Sequence, residues 1–120
     1  MILVDASVWI SHFDAPNDTL LELLRLRDAK MHPFVLGEIA LGHVRNRERI
    51  LAELRELPRT VVVEDNEVLG FIAKNRLFGL GVGYIDAHLL TSTAITAGCS
   101  IWTFDQRLRR VAQKLSLSAD

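Results

Sequence analysis

The sequence predicts one α/β domain built around a mainly parallel sheet. Two observations carry this. Short apolar, partly β-branched runs (Met1–Val4, Ala29–His32, Thr60–Val63, Ile101–Phe104) alternate with longer stretches of helical periodicity, the arrangement that lays parallel strands under crossover helices. Caps and breakers also fall between the runs: Pro16-Asn17-Asp18, Pro33, Pro58, Gly79 to Gly83 and Gly98.

Each element has a local reason. Ile2–Val4 is a short buried strand, and Val8–Phe13 is a helix packed over it. Thr19 and Glu22 have capping-box spacing, opening a helix with Leu20, Leu21, Leu23 and Leu24 on its apolar side. Ala29–His32 is a second strand. Pro33 suits the first turn of a helix running to Val44, with Phe34, Ile39 and Leu41 toward the core. Arg47–Leu57 is amphipathic and ends at Pro58. Thr60–Val63 reads as a strand from its β-branched content. Asp65-Asn66-Glu67 caps a helix to about Leu77. Tyr84–Ala97 is the longest helix, closed by Gly98. Ile101–Phe104 is the last strand and Asp105–Leu115 the last helix. No repeat, linker or low-complexity segment interrupts the series.

Composition narrows the function. At 120 residues and 49% hydrophobic, the chain supports one packed core and argues against disorder. No apolar run approaches the roughly 20 residues that span a bilayer. Met1-Ile2-Leu3-Val4-Asp5 has neither a basic leader nor a small-residue cleavage site, so it is expected to be a strand and not a signal peptide. A lone Cys99 cannot form an internal disulfide, which fits a reducing, cytoplasmic setting.

Four acids stand out by context. Asp5 and Asp105 each follow an apolar strand, at the carboxyl edge where open parallel sheets bind ligands. Glu38 and Asp86 lie early in otherwise apolar helices. Carboxylates gathered at one edge repel and lose hydration. A hard divalent cation, Mg²⁺ or Mn²⁺, relieves both penalties. The four are therefore expected to converge as a metal site of a hydrolase, with Ser7 and Thr103 orienting the strand-end pair. Taken singly, Asp5 and Asp105 read more simply as helix N-caps; jointly, the metal site explains more.

Net charge is −1, from 14 bases and 15 acids. With four acids neutralised by metal, 11 acids face 14 bases and the remaining surface is positive. The bases cluster at Arg45, Arg47 and Arg49 and at Arg107, Arg109 and Arg110, of which Arg45, Arg47, Arg107 and Arg110 are candidates for steering a phosphate backbone. His12, His32, His43 and His88 show no zinc-ligand spacing, and His88 is expected to be structural. Asp65 reads as a cap. Gly79 to Gly83 lacks the Lys and Ser/Thr of a phosphate-binding loop.

These stretches also carry a resemblance. Leu3-Val4-Asp5-Ala6-Ser7-Val8-Trp9-Ile10, His32 to Gly42 around Glu38, Gly83-Tyr84-Ile85-Asp86-Ala87-His88 and Trp102-Thr103-Phe104-Asp105-Gln106-Arg107-Leu108 resemble, in order and spacing, the four acidic motifs of PIN-domain ribonucleases, and among them the VapC toxins. The one departure is Leu108, where the last motif often has Phe. The resemblance implies a three-layer α/β/α fold, a Mg²⁺- or Mn²⁺-dependent cut in structured RNA such as transfer or ribosomal RNA, a homodimer and a cognate antitoxin. It assigns Asp5, Glu38, Asp86 and Asp105 as metal ligands and catalytic acids. The alternatives are a catalytically inactive RNA-binding or scaffold module of the same fold, and a phosphatase of another α/β class. A haloacid-dehalogenase-type phosphatase needs an acid two residues after the first, where this chain has Ser7; a receiver domain needs a Lys after a late strand, where Phe104-Asp105-Gln106 stands.

Overall fold

The computed structural model covers residues 1–120. It has three strands, β1 (Ile2–Val4), β2 (Ala29–Lys30) and β3 (Ser100–Trp102), and seven helices: α1 (Ala6–Asp14), α2 (Asp18–Arg25), α3 (Pro33–Ala40), α4 (Arg47–Arg55), α5 (Asp65–Asn75), α6 (Tyr84–Ile95) and α7 (Gln106–Lys114). The sheet is all-parallel in the order β2-β1-β3, with β1 at its centre. Helices surround it in a three-layer α/β/α arrangement. Single parallel bridges at both edges, Met31 to Arg59 and Ile101 to Ser118, lengthen the hydrogen-bonded front beyond the named strands.

Burial explains why these short strands hold. Leu3, Val4 and Ile101 are fully or almost fully buried, as a sheet covered on both faces requires. Against them pack Val8 and Trp9 of α1, Val35 and Ile39 of α3, Leu89 and Leu90 of α6, and Leu108 of α7. α7 shows the pattern most plainly: Leu108, Val111 and Ala112 face inward while Arg107 and Arg110 remain in solvent.

The expected elements form, with corrections. Thr60–Val63 is not a strand. Only Arg59 bridges Met31, Thr60 donates to the Met31 carbonyl, and the Val61 amide then turns to Thr96 Oγ1 at 2.9 Å. A β-branched run at the sheet edge has thus traded its ladder for a hydroxyl, leaving Val61 and Val62 about half exposed. The expected capping box at Thr19 is replaced by Asn17, whose side chain accepts from the Leu20 amide at 3.0 Å; Glu22 pairs with Arg25 instead. Asp65 does not cap α5 either.

α3 stops at Ala40, four residues short of expectation, and Leu41 swings out to 90% exposure where core contact was expected. The Arg47 guanidinium takes the orphaned Ala40 carbonyl at 3.0 Å. At its other end α3 is capped by His32, fully buried, whose Nδ1 accepts from the Phe34 amide at 3.0 Å while Pro33 fills the first turn. α6 ends at Ile95, two residues before the expected Ala97, and Gly98 follows it with a φ of +68°.

Candidate functional site

The centre of the site is Asp5, at the carboxyl end of the central strand and only 7% exposed. It occupies the N-cap position of α1, yet its side chain caps nothing. Oδ2 instead accepts from Ser7 Oγ and from Thr103 Oγ1, each at 2.7 Å. Those hydroxyls are themselves anchored: Ser7 Oγ accepts from the Phe104 amide and Thr103 Oγ1 from the Asp105 amide, both at 3.0 Å. Each hydroxyl has a single proton, and Asp5 takes both. The 3.3 Å approach of the two hydroxyls is therefore a contact across a shared acceptor. Asp5 Oδ1 carries no protein hydrogen bond.

The adjacent strand β3 brings Asp105 to the same edge, where its Oδ1 caps α7 by accepting from the Arg107 and Leu108 amides at 2.9 and 3.0 Å. The capping reading is correct for one oxygen; Oδ2 is left over.

Glu38, in the second turn of α3, and Asp86, in the first turn of α6, complete the acidic edge. Their protons report the arrangement. Partial desolvation is the largest cause lifting the Glu38 carboxyl above its ordinary range, and the charges of Asp5 and Asp86 add to it. Asp86 is lifted likewise, by burial first and then by Asp5 and Asp105, with the Gly83 backbone amide pulling the other way. Glu38 thus feels Asp5 and Asp86, and Asp86 feels Asp5 and Asp105, which links the four acids into one connected set with Asp5 common to both shifts. As the side chains stand, no three close tightly enough to chelate a single ion. The donor set is all carboxylate oxygen, and its members raise one another's affinity for positive charge. That is the chemistry a hard divalent cation fits. Asp5 Oδ1, Glu38, Asp86 and Asp105 Oδ2 are the atoms and groups that would hold it.

The bases sort themselves by position. Arg47 is occupied at the end of α3, and Arg45 lines a hollow with Phe13, Asp14 and Ile50. That hollow lies at the opposite end of α1 from Asp5, about 13 Å along the helix. Arg109 pairs with Asp120. Arg107 and Arg110 face solvent on α7, the helix that Asp105 caps.

One cluster escaped the sequence reading. Asp65 Oδ1 meets both Tyr84 OH, at 2.7 Å, and Nε2 of the buried His88, at 3.0 Å, while His88 is stacked edge-on against Phe34 and Tyr84. This ties the starts of α5 and α6 together and fixes the turn that carries Asp86. The i, i+4 spacing of Tyr84 and His88 was the available signal; nothing local pointed to Asp65 as their partner.

Comparison with known proteins places the chain in a family. The PIN domain family profile matches residues 2–114. Ribonuclease VapC32 of Mycobacterium tuberculosis, in strains CDC 1551 / Oshkosh and ATCC 25618 / H37Rv, is 45% identical over 109 residues, which cover 91% of this chain and 88% of the relative. No solved structure matches the chain. The chain belongs to the PIN-domain family and, within it, to the VapC type.

Proposed function

We propose that the protein is a divalent-metal-dependent endoribonuclease, the toxin of a type II toxin–antitoxin pair, which hydrolyses phosphodiesters of structured RNA such as transfer or ribosomal RNA. The observation that carries this reading is the electrostatic coupling of Asp5, Glu38, Asp86 and Asp105 at the carboxyl edge of the sheet. Its support from relatedness is the likeness to a VapC ribonuclease over nine-tenths of the chain.

Mg²⁺ or Mn²⁺, when bound, lowers the pKa of a water and stabilises charge on the scissile phosphate. The chain's residues do the rest. Ser7 and Thr103 hold Asp5 by Oδ2, which leaves Oδ1 available to a cation. Glu38 and Asp86 would hold the cation beside Asp5 and Asp105, and its charge would offset the repulsion that lifts their carboxyls. Arg107 and Arg110 steer the phosphate backbone. The working form is a cytoplasmic homodimer whose cognate antitoxin occludes the cleft.

Asp5→Asn tests the mechanism. It keeps the side chain's size but removes a ligand charge. Because changing a metal ligand's supporting partner alone costs about 10–100-fold, cleavage of transfer and ribosomal RNA in Mn²⁺ should fall by at least about 100-fold. Urea unfolding and metal-free RNA binding should be retained. A folded Asp5→Asn protein that cleaves at the wild-type rate refutes the proposal.

A further inference from the structure

The exposed face of α7 carries Arg107, Arg110 and Lys114, at helical spacings of three and four that place all three on one side. None has an acidic partner; the ion pair on this helix belongs to Arg109 and Asp120. With Leu80 and Val111 they line a groove of about 210 Å³. The apolar floor takes the side-chain stems and leaves the charged heads to solvent. From Arg107 to Lys114 the helix rises about 10 Å, the axial length of about three stacked nucleotides.

Arg107 is seated by a glycine. Gly81 lies in the loop before α6 with a φ of +82°, and a Cβ there would stand 3.2 Å from Arg107 Cδ and 3.5 Å from its Nε and Nη1. The guanidinium therefore rests on bare backbone of the loop that leads to Asp86. Any side chain at position 81 strains that backbone and obliges the Arg107 stem to shift by a few tenths of an ångström.

We infer that this face of α7 is the track along which an RNA strand leaves the carboxylate cleft, with Gly81 as the positioning residue for Arg107. The inference rests on the reading above that the chain acts on RNA. The strip begins two residues from Asp105, the acid that caps this same helix. An acidic peptide following the same path would run into four carboxylates. A phosphodiester arrives where those carboxylates hold a cation.

The test is binding of a short fluorescein-labelled single-stranded RNA of mixed sequence in EDTA, by anisotropy across a salt series. Replacing Arg107, Arg110 and Lys114 together by Gln should reduce the slope of log affinity against log salt by about 2, at about 0.7 per lost phosphate contact. A control with Arg49, Arg55 and Lys74 replaced by Gln changes net charge equally and should leave the slope nearly unchanged. Gly81→Ala alone should reduce it by less than the roughly 0.7 expected for Arg107→Gln, and adding it to Arg107→Gln should reduce it no further. Circular dichroism and urea melts confirm that each variant is folded. Equal slopes for strip and control variants overturn the track and leave the strip to a protein partner. Absence of measurable wild-type binding at low salt, or full additivity of Gly81→Ala with Arg107→Gln, overturns it too. A wild type that binds through the strip yet leaves RNA intact in Mn²⁺ keeps the track and removes the nuclease reading.

Discussion

The two halves of the acidic edge are held in opposite ways. Asp5 and Asp105 stand at strand ends, and hydroxyls or helix amides fix at least one oxygen of each. Glu38 and Asp86 ride on helices, with no side-chain donor on either. Their positions come from packing beneath them: Val35 and Ile39 anchor α3, and Ala87, Leu89 and Leu90 anchor α6. The strand pair is preset whether or not a cation is present. The helix pair is pressed against its neighbours' charge, so it responds to protonation, to metal and to anything that loosens its helices.

Acid should separate the halves most. Burial first, then the charges of His88 and Arg59, push the His32 imidazole down to about 4. The folded protein therefore holds His32 neutral where an unfolded chain would protonate it below about 6.5. Stability from this group is complete above pH 6.5 and is lost as pH falls from there to about 4, by about 3 kcal/mol. Protonation also turns Nδ1 from acceptor to donor and removes the cap of α3, so Glu38 should be the first of the four acids to lose its place. Urea midpoints in EDTA across this range should fall in the wild type and much less in His32→Asn, whose amide oxygen can cap α3 but does not titrate. Equal slopes would show that the imidazole is not the group responsible.

Thr103→Val attacks the strand half. It strips one of the two donors from Asp5 and leaves the Asp105 amide without its acceptor. Metal affinity, measured by Mn²⁺ titration, should weaken about 10–100-fold, with a stability loss of about 1–3 kcal/mol. Unchanged metal affinity in a folded Thr103→Val protein would mean that Asp5 needs no such orientation.

Glu38→Gln should have the smallest effect, and of opposite sign. Removing one of the repelling charges should stabilise the metal-free protein by about 0.5 kcal/mol, a small gain because solvent screens a group so near the surface. Saturating Mn²⁺ should raise the melting temperature of the wild type more than that of the variant. A destabilised metal-free variant would show that Glu38 makes a favourable contact where repulsion is inferred.

The same contrast explains what was legible in the sequence. Asp5 and Asp105 could be placed because the end of a buried apolar run is a local fact, and the roles of Ser7 and Thr103 followed from their adjacency. The helix starts at Pro33 and Tyr84 were local as well, which located Glu38 and Asp86. What failed depended on partners distant in the chain. Strand propensity in Thr60–Val63 was real, but the edge offered one bridge and Thr96 offered a hydroxyl. Leu41 looked like core because its helix was expected to continue. Arg47 looked like a phosphate contact until a carbonyl seven residues upstream proved to hold it. The ties among Asp65, Tyr84 and His88 span 19 and 23 positions and have no local signature.

The bond from Thr103 to Asp5 joins residues 98 positions apart. Closing a loop of that length has an entropy cost of about 4 kcal/mol before any contact returns it, and β1 cannot complete its pairing until β3 exists. A chain still being synthesised therefore has its first acid in place but nothing to aim it. The last quarter of the sequence supplies Thr103, the second anchor for Ser7 and the fourth acid in a single segment. The order of synthesis thus delays assembly: the acidic edge closes only once residues 100–105 have been made, and a fragment ending before β3 should leave Asp5 without its Thr103 donor.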